Sequence, residues 1–308
     1  MSEPSSLPKV LVLLASYNGF PWLPDQINSI LNQSGVDVEL VISDDQSYDG
    51  SADLLHDYAG SESRITLLPS LKRYGSAGSN FYRLLQEVDI EGYEYVALAD
   101  QDDIWLSNKL RNQIALIKQH QVDAVSSNVV AYWPDGQRAL VDKAQPARKL
   151  DFLFESAGPG CTFLMTRQLV SKVKAVLKDP TLPASSVVLH DWLIYAICRS
   201  SGGKWWIDSR PTLRYRQHGR NVVGVNLGFR AWQNRFRLIT NKWYRDEVSK
   251  LALIVRKLSD DPYIQSACNT LLGSGIINKL RLLQYMPQSR RNAVERLILT
   301  TMLMMHLY

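Results

Sequence analysis

The sequence predicts an α/β fold, a mostly parallel sheet flanked by helices, with a basic helical extension behind it. Three observations carry this. Short apolar runs alternate with stretches of helical apolar spacing up to about Trp133, the pattern of βαβ units and of a sheet covered on both faces. Three of these runs end in polar clusters. From Gly228 the pattern turns long, helical and basic, with 13 Lys+Arg against 5 Asp+Glu.

Each element has its own signal. "KVLVLLASYNG" reads as a buried strand over Val10 to Leu14 that runs into a polar turn. "LPDQINSILNQ" has helical spacing at Ile27, Ile30 and Leu31. "VELVISDD" is a second strand ending in acid, and "GSADLLHDYAG" a short helix that stops at Gly60. "RITLLP" and "SAGSNFYRLLQEV" are the next strand and helix. "YEYVALADQDD" is a fourth strand, and "LSNKLRNQIALIKQHQ" a fourth helix with Ser107 as its expected N-cap. "DAVSSNVVAYW" is extended again. Beyond it, "GPGCTFLMTR" reads as a strand after a Gly-rich turn and "HDWLIYAICRSSG" as a helix ending at a Gly pair. "KWWIDSRPTLRYRQHG" reads as strand broken by Pro211.

The 308 residues suffice for one large domain, or one domain with an appendage, and 45% of them are hydrophobic. No run of eighteen apolar residues occurs, so no spanning helix is expected. "MSEPSSLPKV" lacks the basic and apolar regions of a secretory signal, and the expected location is cytoplasmic. Cys161, Cys198 and Cys268 are far apart, sit among apolar residues and read as buried free thiols. The net charge of +5 is uneven: +8 from Gly228 onward and −3 before it. That asymmetry points to an anionic surface as partner.

In mostly parallel sheets, ligands bind outside the carboxyl ends of the strands. "SYN", "SDDQS" and "DQDD" fall there, so they share one rim. In "ADQDDIW", Asp100, Asp102 and Asp103 crowd three like charges that need a cation to offset them. Hard Mg²⁺ or Mn²⁺ suits such carboxylates and commonly bridges protein to phosphate. The alternative is a helix-capping cluster, for which one acid would do. "SDDQSYDGS" begins like a calcium loop, but its twelfth position is His56 instead of Glu. Asp44 or Asp45 either caps the helix near Gly50 or accepts from a nucleobase or ribose. In "LHDWLIYAI", Asp191 is either a favoured first-turn acid or a general base. Arg214, Arg216, His218 and Arg220 form either a solvated strand face or a segment closing over an anionic ligand, with His218 adding a nitrogen to the metal.

"LLASYNGFPWLPDQINSILNQ", "VISDDQSYDGS" and "YVALADQDDIW", in this order, resemble family 2 glycosyltransferases of the GT-A fold. "GPGCTFLMTR", "LHDWLIYAI" and "RYRQHGRNVVG" resemble their bacterial rhamnosyltransferase-like branch. The resemblance spans Lys9 to Gly224. It implies inverting transfer from a nucleoside-diphosphate sugar, with dTDP-rhamnose as the first expected donor and a UDP-hexose as the second. Carried over, Ser16, Tyr17, Asn18 and Asp45 would contact the nucleoside, with Asp100, Asp102 and Arg216 completing the nucleotide-sugar site. Asp102, Asp103 and His218 would hold Mg²⁺ or Mn²⁺, and Asp191 would be the base. His190 stands where the family commonly has Glu, a departure that fits the rhamnosyl branch. The implied layout is a catalytic domain over residues 1–227, divided near 133 into nucleotide-sugar and acceptor halves, and a helical region over 228–308.

The tail interleaves cations with Trp232, Phe236, Trp243 and Tyr244. It is expected either to pack on the catalytic domain or to touch the cytoplasmic face of the inner membrane, where a lipid-linked glycan acceptor would lie. No nucleic-acid module is visible. A sugar-phosphate nucleotidyltransferase would want a Gly-rich basic loop after the first strand, and "ASYNGFPW" lacks it. The non-enzymatic alternative, a lapsed nucleotide-binding partner subunit, is opposed by the intact acids of "DQDD" and "HD".

Overall fold

The computed structural model describes residues 6–218 and 243–304. Seven of the eight residues of β1 (Lys9–Ser16) are buried, as befits a central strand covered on both faces. It pairs in parallel with β2 (Asp37–Asp44) on one side and β4 (Tyr95–Asp100) on the other. β2 in turn pairs in parallel with β3 (Ile65–Leu67). Beyond β4 lie the antiparallel β9 (Leu164–Thr166), then β6 (Ala124–Ser127), then β10 (Trp205–Asp208) at the edge. A second, four-stranded sheet runs β5 (Ile104–Trp105), β11 (Leu213–Arg216), β7 (Val129–Tyr132), β8 (Arg138–Val141).

Two apolar clusters sandwich the main sheet. One takes buried residues from α1 (Leu23–Leu31), α2 (Ser51–Ser61) and α4 (Lys109–His120). The other takes them from α3 (Ala77–Glu87), α5 (Arg167–Lys178) and α6 (His190–Ser200). The apolar stripe of α7 (Trp243–Leu258), Val248, Leu251, Ala252 and Val255, joins that second cluster beside Phe152 and Trp192. α8 (Pro262–Leu272) follows, with Asp261 as N-cap accepting from the Tyr263 and Ile264 N–H groups. α9 (Ile276–Leu282) and α10 (Ala293–Met304) end the described chain.

Several local expectations change. α4 begins at Lys109 with Asn108 in the cap position, so Ser107 is not the N-cap; its carbonyl instead accepts from the Ser34 N–H. None of the three acids of "DQDD" caps that helix. Neither Asp44 nor Asp45 caps α2; Gly50 holds that position at φ +93°. A side chain there would be strained and would press on the Phe20 ring. Tyr244 does not reach toward lipid: it is buried, donates its hydroxyl to the Phe154 carbonyl and stacks with Trp192. Trp243 packs against the same cluster. Arg220, Trp232 and Phe236 lie outside the described residues. All three cysteines are buried and free. Among the described residues, no helix is long and apolar enough to cross a membrane.

Candidate active site

Strand register assembles the rim. Ser16 lies beside Asp44, and Ala15 beside Asp100, where β1, β2 and β4 end together. The loops that follow are tied by side chains. Gln101 accepts the Tyr17 N–H at 2.8 Å and donates to the Tyr17 carbonyl at 2.9 Å, clamping the loop after β1 to the acidic loop. Gly19 packs so tightly on the Gln101 amide that a Cβ would collide with it. Asn18, at φ +51°, joins the first loop to the second: its N–H donates to Ser47 Oγ and its Oδ1 accepts from the Tyr48 N–H. The Ser16 hydroxyl is buried and has no hydrogen-bond partner.

The acids of the second loop order backbone. Asp44 accepts from the Ser47 N–H and hydroxyl. Asp45 accepts from the Tyr74 N–H and, at 2.8 Å, from the Gly75 N–H. This fixes the 69–76 loop so that Arg73 donates to the Tyr17 hydroxyl at 2.5 Å, with its guanidinium 4.7 Å from that ring's centroid. Arg73 was not legible as a rim residue; its exposure next to a glycine turn looks like ordinary solvated loop.

The third loop carries the charge. His218 Nε2 and Asp102 Oδ2 are 2.7 Å apart, and the imidazole stacks on Trp22 at 3.9 Å. Arg216 threads the same spot. Its N–H donates to Asp103 Oδ1 at 3.3 Å, its Nε to the Asp102 carbonyl at 2.9 Å, and its other nitrogen to Asp25 at 3.2 Å. The pairing of β11 with β5 delivers both residues, since Arg214 lies opposite Ile104. The solvated-face alternative suits Arg214, which is exposed, but not the half-buried Arg216.

Asp100 is half-buried, and burial followed by the Asp102 charge pushes its carboxyl up to about 7. Asp103 is fully buried; the same two causes hold its carboxyl well above the usual range. Its Oδ2 has no hydrogen-bond partner. Donor atoms of Asp100, Asp103 and Cys161 lie within 4.8 Å of one another. Behind them, the buried Lys109 donates to Gln113 and sits 4.0 Å over the Trp105 ring; burial pushes its ammonium down to about 7. Cys161 and Lys109 are the members of this cluster that the sequence hid, each reading as a core or helix residue.

Tested against a hard divalent cation, the rim set of Asp102, His218 and Asp100 fits by donor chemistry: carboxylate oxygens with one imidazole. Cys161 fits poorly, since burial and the neighbouring acids keep its thiol protonated. The orphaned Oδ2 of Asp103 leaves one more oxygen donor beneath the rim.

Asp191 opens α6 and is half-buried. Burial pushes its carboxyl up to about 6; the Trp192 N–H that donates to it at 2.6 Å, Lys143 and Ser156 pull the other way. Its charge reaches Asp100 and helps to raise it. His190 is different in kind. It stacks on Phe81 at 4.1 Å, packs against Gly160, and burial pushes its imidazole down to about 3, so it is neutral.

Comparison with known proteins matches this architecture to a family. The model of glycosyl transferase family 2 matches residues 11–167. The dTDP-rhamnosyl transferase RfbG of Shigella flexneri is 39% identical over 296 residues, covering 96% of this chain and all of that protein. The glucosyltransferase WfgD of Escherichia coli is 28% identical over 165 residues, covering 53% of this chain and 62% of its own. Among solved structures, S. aureus TarS 1–349 in complex with UDP-GlcNAc superimposes with a TM-score of 0.60 at 14% identity, covering 92% of this chain and 74% of that one. The mannosyltransferase PcManGT from Pyrobaculum calidifontis, in complex with GDP-Man and Mn²⁺, gives 0.50 at 19% identity, covering 99% and 86%. At these identities the structural likeness is one of fold, and the fold is GT-A.

Proposed function

The chain belongs to glycosyl transferase family 2, and on that premise we propose that it is an inverting, metal-dependent enzyme acting on a nucleoside-diphosphate sugar. The donor we assign is dTDP-L-rhamnose, because the relative matching along nearly the whole chain is named for dTDP-rhamnosyl transfer. The acceptor we assign is a hydroxyl of a lipid-linked glycan in a growing bacterial surface polysaccharide, met at the cytoplasmic face of the inner membrane. WfgD is named for transfer to a diphosphoundecaprenol-linked sugar.

One observation carries this reading: beside the Asp102–His218 pair lies Asp100, and the half-buried Asp191, its carboxyl raised to about 6, is near enough for its charge to act on Asp100. A base works best with a pKa near the working pH. The acceptor hydroxyl yields its proton to Asp191 as its oxygen attacks the anomeric carbon from the face opposite the diphosphate. The bond to the diphosphate breaks, and the anomeric configuration inverts. Ser16, Tyr17, Asn18 and Asp45 build the nucleoside side, partly through the loops they tie. Asp102 and His218, with Asp100 beside them and Asp103 beneath, would hold Mg²⁺ or Mn²⁺, which when bound supplies positive charge next to the leaving diphosphate. Arg216 adds a fixed cation at the same place. The working division, catalytic over 1–227 with halves meeting near 133 and helical over 228–308, is part of this proposal.

The test is donor turnover across dTDP-rhamnose and UDP-hexoses, with and without Mn²⁺ or Mg²⁺, and the product's anomeric configuration by NMR. Metal-dependent use of dTDP-rhamnose with inversion is expected. Preference for a UDP-hexose would discard the sugar and keep the mechanism. Retention of configuration would remove Asp191 from its role.

A further inference from the structure

α10 is apolar on two faces, and among the described residues only one of them is buried. Leu299, Met302 and Leu303 are buried. On the other side Val294 is 65% exposed and Leu297 66%, with Ile298 and Met304 also exposed. Val294, Leu297, Ile298 and Thr301 follow the spacing of a single helical stripe. α9 repeats the pattern in seven residues: Ile276 is 60% exposed, Ile277 64% and Leu280 62%, while Leu282 is buried. Both helices pack against the turn of 3₁₀ helix over Leu283–Gln288. Large apolar side chains exposed in series mark a surface that meets something other than water.

Charge says what that is. From Gly273 to Met304 the chain carries five basic side chains and one acid, Glu295. Glu295 is offset by Arg290 at 2.7 Å, and Arg291 is spent internally on Asp151 and Glu155. Arg281 is exposed, and the Arg296 side chain donates only to the Arg290 and Arg291 carbonyls, so both keep their charge on this side of the molecule. In α9 the cations Lys279 and Arg281 alternate with Ile276, Ile277 and Leu280. The core of a protein–protein interface is depleted of lysine, whereas an interfacial helix sets cations at lipid headgroups beside apolar residues that enter the acyl boundary.

We infer that the outer faces of α9 and α10 form a docking surface for an anionic lipid bilayer, with Ile276, Ile277, Leu280, Val294, Leu297 and Ile298 entering it. This deepens the proposed function by assigning where the enzyme meets a lipid-linked acceptor, but its test requires neither donor nor acceptor. It also moves the contact away from Trp243 and Tyr244, which serve the core.

The experiment is flotation of the full-length protein with phosphatidylcholine vesicles and with phosphatidylcholine–phosphatidylglycerol vesicles. Binding to the anionic vesicles alone, weakening with salt, is expected. The triple variant Ile277→Asp, Leu280→Asp, Leu297→Asp should lose about tenfold or more in bound fraction while hydrolysing donor at the wild-type rate. Arg281→Glu, which leaves the apolar face intact, should lose binding in the same direction by less. Three results would overturn the assignment: no flotation of the wild type, unchanged flotation of the triple variant, or a wild-type dimer that the triple variant converts to monomer. The last would give the face to a second copy of the chain.

Discussion

The rim around Asp102 and the joint between the C-terminal helices and the core both bury charge, and they do it in opposite ways. At the joint, every buried acid is answered. Asp151 receives Tyr195, Arg199 and Arg291; Glu155 receives the Arg291 N–H at 2.6 Å and its guanidinium at 3.2 Å. At the rim, buried polar groups are left over: Ser16 Oγ, Asp103 Oδ2, Trp105 Nε1 and Tyr132 Oη have no hydrogen-bond partner. Burial, and after it the Asp102 charge, raise the carboxyl pKa values of Asp100 and Asp103. The joint leaves over only single guanidinium nitrogens, Arg148 Nε and Arg291 Nε, so its acids are satisfied and hold elements together, whereas the unpartnered carboxylate oxygen and hydroxyls of the rim suit a ligand.

The sharpest break of this contrast removes one charged group from each side. Asp191→Asn should cost ~10²–10⁴-fold in kcat with donor affinity retained, the usual range for a general base, and should leave the melting temperature nearly unchanged. Arg291→Met should do the reverse. It strands the buried Glu155 carboxylate and takes from Asp151 one of its three partners, and breaking a buried pair typically costs about 3–5 kcal/mol. Thermal unfolding should fall by many degrees, while turnover per folded molecule at low temperature stays near wild type. If Arg291→Met instead lowered kcat without lowering stability, the joint would belong to the site.

How far the sequence carried differs between the two regions for the same reason. Strand ends and their acids were legible because a parallel sheet puts its carboxyl ends on one rim, whatever the side-chain detail. Asp45, Asp100 and Asp102 could be singled out on that basis, whereas Asp191, Arg216 and His218 stood out by their own motifs, "LHDWLIYAI" and "RYRQHGRNVVG". Arg73 and Cys161 could not, because each reaches the rim through a tertiary contact between segments far apart in the chain; Lys109 reads as an ordinary helix cation, although its contact with Trp105 is local. The joint was illegible as well. Arg291 lies 136 residues from Glu155 and 140 from Asp151, and single charges outside a motif give no pairing signal. Trp243 and Tyr244 left two readings open, because interleaved Trp, Tyr and cations describe both a lipid-facing helix and one packed on a core; these two pack on the core.

A milder perturbation sharpens the rim side alone. The Asp191 carboxyl is raised to about 6 from its ordinary 3.8, so its base form is present above pH 6 and lost as pH falls through it. Turnover should drop about tenfold per pH unit well below that point. Lys143 favours the charged form, so Lys143→Met should move the acid limb to higher pH, on the order of one unit or less, with kcat at alkaline pH unchanged. A limb that stays in place would detach Lys143 from Asp191.

The smallest effect is expected at the far end of the rim, where Arg73 meets Tyr17. The contact joins a guanidinium to an aromatic face and hydroxyl at a partly exposed site, a geometry worth about 1 kcal/mol. Arg73→Ala frees the 69–76 loop from Tyr17 but leaves Asp45 on the Tyr74 and Gly75 N–H groups, so the loop keeps its course. Donor KM should therefore rise about fivefold, in line with that energy, while kcat stays close to wild type, because nothing near Asp191 or Asp102 changes. Steady-state kinetics at saturating metal separates the two constants. A fall in kcat with KM unmoved would place Arg73 at the leaving diphosphate instead of the nucleoside, and the two ends of the rim would then work on the same bond.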